Sequence, residues 1–230
     1  MTSSSSIKYV RDYNRIEKLV FSKLFWLIFV SLAFGYPLVR SMLRELPPAP
    51  APLYKVPEFE LINEFGKTFG SKNLEGKAYL ASFVFTSCPT TCPGQMERLQ
   101  KVQKRMRGLG TNVAIVTFTV DPEYDTPKVL HKFARKYQSN PFIWSFLTTK
   151  DWDQMNKLVV KGFKVPMGSG KEKWTGQVNG EEVTMMDIVH SERLVLVDQK
   201  GFVRNYYSNN KDAINKLMID VGLLANRPAK

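Results

Sequence analysis

Residues 79–93 read YLASFVFTSCPTTCP, and this stretch decides the fold because it joins an apolar run to the two cysteines of the chain. The run Tyr79–Phe85 is apolar except for one serine, which is typical of a buried strand. A helix-like segment from Gly94 to Leu109 follows. Pro93 suits the first turn of that helix, because the first turn needs no amide hydrogen. The cysteines are therefore predicted to lie in a strand-to-helix turn.

The cysteines, Cys88 and Cys92, are the only thiols of the chain. At the start of a helix, unpaired backbone N–H groups and the helix dipole favour thiolate over thiol. If the first helical turn includes Cys92, a spacing of four places both sulfurs on one side of that turn. Such a pair can close a disulfide or hold one soft metal ion. A structural disulfide in an exported domain is the alternative, but a disulfide adds most stability when it closes a long loop, and this loop would be short.

The N-terminal region has the pattern of a membrane span. Leu24–Val39 carries no charge, and extension back to Val20 gives a segment of about twenty residues, the length that crosses a bilayer core. A buried core helix would show polar positions at helical spacing, and a cleaved signal peptide would end in small residues; neither pattern is present. We therefore predict an uncleaved transmembrane helix over residues 20–39. The Lys and Arg residues before it predict that the tail, residues 1–19, stays inside and that the C-terminal part is exported.

Two further regions follow the predicted anchor. Residues 40–53 form a Pro-rich linker, in which LPPAPAPL at 46–53 is typical of a semi-rigid polyproline spacer. Residues 54–230 are long enough to bury the core of one domain.

The chain is basic, with a formal net charge of +12. It contains no basic run with interleaved aromatic residues, so nucleic acid is not an expected partner. Several cations follow the cysteines on one predicted helix. A solvated helix face is the simplest interpretation, and a docking surface for acidic partners or anionic lipid is the alternative. These cations are Lys101, Lys104, Arg105 and Arg107.

Apolar periodicity predicts that strands and helices alternate after the linker. Asn112–Val120 is a continuous apolar run of the kind found in parallel sheets. Asp125 or Thr126 can cap a helix whose first residue is Pro127. The other predicted elements are strands at 55–63 and 142–147 and helices at 127–137 and 150–161.

Two hairpins and a helix end the chain. Asn179-Gly180 lies between the predicted strands 174–178 and 181–188, which is a strong hairpin signal. Strands at 193–197 and 202–207 form the second hairpin, and the last helix covers 211–224. This order predicts an α/β fold, a mixed sheet with helices on both faces.

Three separated motifs occur in a characteristic order. They are the cysteine motif at 86–93, the segment from Val120-Asp121-Pro122 to Asp125-Thr126-Pro127, and Asp187-Ile-Val-His190-Ser191 ahead of 194–198. Together they resemble the SCO/SenC family of membrane-anchored copper proteins, which serve cytochrome c oxidase assembly. The resemblance covers about residues 54–224 and extends to the anchor. It implies a thioredoxin-like mixed sheet flanked by helices, with an N-terminal hairpin and an inserted hairpin at Asn179-Gly180.

The resemblance also implies a copper site. Cys88, Cys92 and His190 match the family's ligands, and two thiolates with one imidazole suit Cu(I). Iron–sulfur clusters normally use four thiolates and structural zinc four ligands, so the donor count disfavours both, although zinc could bind with water as a fourth ligand. Ordinary thioredoxin-like proteins carry a cis-proline where His190 stands. A structural role for His190 is the alternative, and His131 is predicted to be packed or on the surface of a helix.

Other side chains near the motifs allow both a functional and a structural interpretation. Asp121, at the C-terminal edge of a strand, could tune the thiols or contact a partner. A turn-and-cap role is sufficient for Asp125. Met185 and Met186 are soft donors ahead of the histidine, but burial in a strand explains one of them without a metal.

The histidine motif departs from the family in one respect. Many members have Asp-His-Ser at this position, whereas Val189 precedes His190 here and the acid is Asp187. A residue three positions earlier lies on the opposite face of a regular strand, so Asp187 need not support the ligand histidine.

The leading functional hypothesis is a metallochaperone that delivers copper to the binuclear copper site of cytochrome c oxidase during its assembly. The second is a thiol–disulfide oxidoreductase that reduces the target's cysteines with Cys88 and Cys92. A peroxiredoxin fits poorly, because that chemistry uses a Thr-x-x-Cys nucleophile with an activating Arg. A copper or redox sensor also fits poorly, because residues 1–19 are too short for a signalling domain.

The expected location follows from the anchor and the resemblance. The domain is placed in the periplasm and held by the inner membrane, with the mitochondrial inner membrane facing the intermembrane space as the alternative. The sequence lacks a long Arg-rich, acid-free presequence, which favours a bacterial membrane. The expected partners are the copper-site subunit of the oxidase, other copper chaperones or thiol reductants, and the membrane itself.

Overall fold

A computed structural model of the chain describes most of the sequence. It describes residues 16, 20, 22–43, 47–88, 91–167, 173–178, 181–186 and 193–226, with the backbone alone for 173–178 and 181–186. The chain divides into two compact units, Met1–Pro47 and Pro48–Lys230.

The N-terminal unit contains one long apolar helix. Helix α1 (Lys23–Val30) continues through a π-helical segment (Ser31–Gly35) into α2 (Tyr36–Met42). The whole helix, Lys23–Met42, has 20 residues, and its most apolar 18-residue window has a mean hydropathy of 1.6 and is not buried. Its length and composition make it a candidate membrane span. It ends at Met42, three residues after the predicted end.

The second unit is built on one mixed sheet. The strands are β1 (Tyr54–Lys55), β2 (Glu60–Asn63), β3 (Thr68–Gly70), β4 (Ala78–Val84), β5 (Val113–Thr119), β6 (Trp144–Thr148), β7 (Lys173–Val178), β8 (Glu181–Met186), β9 (Leu194–Val197) and β10 (Phe202–Tyr207). Eight of them form one sheet in the order β1-β10-β9-β4-β5-β6-β2-β3. Strands β4, β5 and β6 are parallel, and the other pairings in this sheet are antiparallel.

Helices cover both faces of this sheet. They are α3 (Thr91–Met106), α4 (Pro127–Lys136), α5 (Trp152–Asn156), which continues as a π-helical segment (Lys157–Gly162), and α6 (Lys211–Asn226). Short 3-10 segments lie at Ser71–Leu74 and Arg107–Asn112. Helices α3, α4 and α6 pack in one core, and α5 packs in the other.

Strand β4 shows how the sequence specifies two cores. Leu80 and Val84 face the core shared with α3, α4 and α6, whereas Tyr79, Ala81 and Phe83 face the core shared with α5. Successive side chains of a strand point to opposite faces, so a strand buried on both faces has a continuous apolar run. The predicted thioredoxin-like mixed sheet, with helices on both faces, is confirmed.

The first predicted strand, 55–63, is wrong as a single element. Strand β1 ends at Lys55 and pairs with β10 at one edge of the sheet, while β2 begins at Glu60 and pairs with β6 and β3 near the other edge. Pro57 lies between them and has no N–H to donate to a strand partner. The chain therefore crosses from one edge to the other, and the N-terminal hairpin is β2–β3.

The two other predicted hairpins are confirmed. Strands β7 and β8 pair from Lys173↔Met186 to Val178↔Glu181, around the Asn179-Gly180 position. Strands β9 and β10 pair from Val197↔Val203 to Leu194↔Tyr207, with an irregularity between Val203 and Asn205.

A buried carboxyl, Glu64, lies beside strand β6. Its residue is 4% exposed, and its Oε2 accepts the Phe146 N–H at 3.0 Å. Burial raises the pKa of Glu64 above its ordinary value of 4.5, while hydrogen bonds to the Phe146 and Glu64 amides and the nearby His131 act in the lowering direction. The unfolded chain therefore releases this proton at lower pH than the folded chain, and the carboxyl lowers stability as pH rises above 4.5.

Glu64→Gln keeps a carbonyl oxygen for the Phe146 N–H but has no proton to release. We expect the free energy of unfolding of the variant, relative to the wild type, to increase between pH 4.5 and pH 7. Urea unfolding of both proteins across this range measures the difference. If the difference in free energy of unfolding stays constant or falls with pH, burial does not raise the pKa of the Glu64 carboxyl.

Candidate metal centre

Cys88 lies in the turn after β4 and Cys92 in the first turn of α3, at the carboxyl end of the parallel strands. Cys88 is described, Pro89 and Thr90 lie outside the described residues, and α3 begins at Thr91. The predicted helix start at Gly94 is therefore three residues late. Proline needs no donor anywhere in a first helical turn, so Pro93 is accommodated as the third helical residue.

The turn brings the two sulfurs together. The Cys92 N–H donates to Cys88 Sγ at an N–S distance of 3.4 Å, and the Cys88 thiol is close enough to raise the pKa of Cys92. The Cys88 N–H donates to the Phe85 carbonyl oxygen at 3.3 Å. Cys88 is 7% exposed and Cys92 is 1% exposed, and both are thiols rather than a disulfide. Two soft donors are thus positioned beside each other at the rim of the core.

The environment of Cys92 disfavours its thiolate. Burial raises the pKa of Cys92 to about 12, with further raising contributions from the Cys88 thiol and the Asp125 carboxylate and a lowering one from the Phe85 backbone. The prediction that the helix start favours thiolate is wrong for this cysteine, because burial of a residue that is 1% exposed disfavours the charged sulfur. A bound cation would compensate for that loss, since metal coordination displaces the thiol proton.

Asp125 connects the cysteine turn with strand β5 through side-chain hydrogen bonds. Its residue is 0% exposed, and it accepts the Thr86 N–H at 3.0 Å, the Thr86 hydroxyl, and the Thr119 hydroxyl at 2.5 Å. Burial raises the pKa of Asp125, and the hydrogen bonds from Thr119 and Thr86 oppose that rise. The carboxylate thereby ties the residue two positions before Cys88 to the end of β5.

The cap at the start of α4 is Thr126, as predicted for that residue, and Asp125 has a different role. The Thr126 hydroxyl accepts the Val129 N–H at 3.5 Å, and Pro127 is the first helical residue. The turn-and-cap interpretation of Asp125 missed its contacts with the cysteine turn. A signal was present in the sequence, because Thr119 is one of two polar residues in a mostly apolar strand and a buried hydroxyl needs a partner.

Asp121 has a local role in the structure. It is half-buried, its Oδ1 accepts the Tyr124 N–H at 3.4 Å, and its N–H donates to the Thr119 hydroxyl at 3.0 Å. None of the hydrogen bonds recorded for it in the described part of the chain involves a cysteine. Its proposed effect on the thiols or on a partner stays a prediction.

The predicted third ligand, His190, lies outside the described residues, as does Asp187. The side chains of Met185 and Met186 are not described either. Over the described ranges, no group of three or more His, Cys, Asp or Glu side chains is placed to hold a metal ion. The other histidine, His131, is half-buried and packs edge-to-face on Phe65 at 5.3 Å, in agreement with the prediction that it is packed on a helix.

The first residue of β9 lies at the cysteine end of the sheet. Strand β9 pairs antiparallel with β4 through Ala81↔Val195, so Leu194 lies toward the end of β4 that leads to Cys88 and Cys92.

Comparison with known proteins identifies the family. The SCO1/SenC family model matches residues 49–221. The SCO1 protein homolog of Bacillus subtilis (strain 168) is 32% identical over 155 residues, which cover 67% of this chain and 74% of that protein.

Two solved structures illustrate the fold. BsSco, a member of the Sco family of cytochrome c oxidase assembly proteins in which a disulfide switch was identified, has a TM-score of 0.63 and 30% identity over 78% of this chain and 99% of its own. Copper-bound ScoI of Arabidopsis thaliana has a TM-score of 0.57 and 23% identity over 74% of this chain and 99% of its own. The family match spans the ten strands, helices α3, α4 and α5 and the cysteine turn described above, and the chain belongs to the SCO1/SenC family.

Proposed function

We propose that this chain is a copper metallochaperone, which binds one copper ion through Cys88, Cys92 and His190 and delivers it to the copper-site subunit of cytochrome c oxidase during assembly. The observation that carries the proposal is the pair of adjacent buried sulfurs in one turn. Thiolates are soft ligands, and a site with two of them suits Cu(I), which accepts a low number of ligands. Copper-bound relatives, such as ScoI of Arabidopsis thaliana, support the same assignment.

Histidine completes the proposed ligand set. Two thiolates can hold Cu(I) in a near-linear arrangement, whereas Cu(II) prefers more ligands, including nitrogen. The entry of the chain into β9 at the cysteine end supports a position for His190 near the sulfurs. Copper binding would release the thiol protons, and the raised pKa of Cys92 makes this release costly in the absence of a metal.

A thiol–disulfide oxidoreductase is the second candidate, and the disulfide switch of BsSco favours it. In this reaction one thiolate attacks a target disulfide to form a mixed disulfide, and the second thiolate then displaces the reduced target. Two electrons pass to the target, its two sulfurs take up protons, and this chain is left with a Cys88–Cys92 disulfide. The same two residues would serve both functions.

We also propose that residues 20–39 anchor the chain in the inner membrane, with residues 1–19 inside and the folded unit in the periplasm. The apolar helix Lys23–Met42 supports a membrane location, and the basic residues ahead of it support the direction. Asp121, a half-buried residue of the loop after β5, is proposed to contact the partner or to alter the reactivity of the thiols.

His190→Ala separates the two candidate functions, because only a metal needs a third ligand. We expect Cu(II) affinity to fall at least about tenfold, or about 1.4 kcal/mol, with a smaller fall for Cu(I). The variant should still form and reduce the Cys88–Cys92 disulfide. Competitive copper titration and thiol titration in redox buffers measure the two properties.

His131→Ala is the matched control, since His131 packs on Phe65 away from the turn. It should bind both copper states as the wild type does. Unchanged affinity and spectra in His190→Ala would assign His190 a structural role. Loss of disulfide formation with copper binding retained would favour the oxidoreductase.

A further inference from the structure

Helices α3 and α4 carry a strongly basic surface. Lys101, Lys104 and Arg105 on α3 and Lys132, Arg135 and Lys136 on α4 are all exposed, and these six residues are called the basic face below. Helix α4 contains no acidic residue, and the one acid of α3, Glu97, precedes the basic positions.

The basic face is continuous because the two helices are neighbours. Gln100 Nε2 donates to Gln138 Oε1 at 3.2 Å, and Gln103 Nε2 donates to the Gln138 carbonyl oxygen at 3.2 Å. Gln138 follows α4 directly, so these contacts hold the end of α4 against the middle of α3. Both helices also share one core.

Over the residues with described side chains, no ion pair involves the basic face. The ion pairs among those residues are Arg204–Asp198 and Lys216–Asp220. Arg105 donates to the Asn215 side chain at 3.0 Å, and Lys136 lies over the Tyr137 ring at 5.4 Å. Both are contacts with neutral groups, so the field of the cations extends into solvent.

The basic face lies apart from the cysteine turn. Helix α3 starts at the turn, and Arg105 is about 20 Å further along the helix axis at 1.5 Å per residue. Helix α4 runs in the same direction as α3, because each connects consecutive parallel strands of one sheet. A protein that docks over Cys88 and Cys92 therefore leaves the last turns of both helices uncovered.

The linker contacts the sheet at the end where the last turns of α3 and α4 lie. The Pro50 carbonyl oxygen accepts from Arg204 Nε at 2.7 Å, and Arg204 pairs with Asp198 in the turn that follows β9. Because β9 is antiparallel to β4, this turn lies at the end opposite the cysteines. Residues 43–53, which join the domain to the candidate membrane helix, can span at most about 40 Å.

We propose that the basic face binds the anionic lipid surface of the membrane that holds the N-terminal helix, so that the cysteine turn faces away from the bilayer. The inference rests on the proposed membrane anchor and is independent of the copper site. The tether keeps the domain near the membrane and so raises the frequency of contact, and the attraction of the cations to anionic headgroups then acts within a Debye length of the surface. An acidic soluble protein gains no such proximity, which is why lipid is the favoured occupant.

Lysine footprinting of the full chain in lipid nanodiscs tests the proposal. One disc contains phosphatidylcholine alone and the other a mixture with anionic phosphatidylglycerol. In the anionic disc we expect acylation of Lys101, Lys104, Lys132 and Lys136 to slow about fivefold, the factor that corresponds to about 1 kcal/mol for a cation near an anionic surface. High salt should remove the difference, because it screens exposed charges.

Two controls make the result specific. Lys150 follows the carboxyl end of β6, and Lys157 lies in the segment that continues α5 in the other core; both are exposed, and both should react equally in the two discs. The double variant Arg105→Gln/Arg135→Gln should restore much of the lost reactivity of the four lysines, whereas Lys150→Gln/Lys157→Gln should not.

Equal reactivity of the four lysines in both discs would overturn the proposal. So would protection that requires addition of the soluble copper-site domain of the oxidase, since the basic face would then bind protein. Failure of the full chain to insert into discs would overturn it together with the anchor, while copper titration of the same chain would still report on the metal site.

Discussion

Replacing either cysteine by serine is expected to abolish tight copper binding by the reduced chain. The two sulfurs are the soft donors of one turn, and a serine hydroxyl is a hard, neutral ligand that Cu(I) binds poorly. We expect affinity to fall at least about 1,000-fold, or about 4 kcal/mol, for both Cys88→Ser and Cys92→Ser. Titration against a competing copper chelator under reducing conditions measures the fall in affinity. The wild type should bind one copper per chain, and each serine variant should bind less than one under the same conditions.

Ser87→Ala is the matched control, because Ser87 is an exposed neighbour of Cys88 without a thiol. It should bind copper with wild-type stoichiometry and affinity. Circular dichroism and urea unfolding show whether each serine variant is folded, which matters most for Cys92 because it is 1% exposed. A folded serine variant with unchanged copper affinity would exclude the cysteine pair as the metal site.

The strand–turn–helix unit and the hairpins could be predicted from the sequence because local patterns specify them. The continuous apolar run of β4 reflects burial on both faces, and Asn179-Gly180 has the conformational freedom that a tight hairpin needs. The cysteine motif fixed the place of the candidate site for the same reason, since both sulfurs belong to one turn. None of these features depends on distant parts of the chain.

The features that could not be predicted arise from contacts between distant residues. Pro57 marks a break in the first strand, but the crossing between opposite sheet edges is visible only when β1 and β2 have their partners. The raised pKa of Cys92 depends on burial beneath the turn, which sequence position alone does not reveal. Asp125 reads as a turn residue in the motif DPEYDTP, yet its hydrogen bonds reach Thr86, 39 positions earlier.

Loss of the Asp125 carboxylate is expected to destabilise the fold strongly. Asp125→Ala would leave the Thr86 N–H, the Thr86 hydroxyl and the Thr119 hydroxyl without their buried acceptor. Each buried donor left without an acceptor lowers the free energy of unfolding by about 1–3 kcal/mol. The variant also no longer has to bury a charged carboxylate, and the saved desolvation free energy offsets part of this loss. We therefore expect the free energy of unfolding to fall by about 3 kcal/mol.

Asp121→Ala is the matched control for this change, four residues earlier in the same loop. Asp121 is half-buried, and the contact of its carboxylate in the described structure is the Tyr124 N–H at 3.4 Å. Water can replace that contact, so stability should change by no more than about 0.5 kcal/mol. Urea unfolding of both variants at one pH gives the comparison directly.

Copper affinity shows whether Asp125 positions the turn as well as stabilising the fold. With Thr86 released from β5, the backbone ahead of Cys88 is no longer held, and the adjacent sulfurs must be ordered again when the metal binds. We expect Asp125→Ala to bind Cu(I) about tenfold more weakly at a temperature where it is still folded, while Asp125→Asn, which keeps one acceptor oxygen, loses less. If Asp125→Ala unfolds no more easily than Asp121→Ala, the hydrogen bonds to Thr86 and Thr119 do not hold the turn. If it is destabilised but binds copper as the wild type does, Asp125 supports the fold and has no part in arranging the metal site.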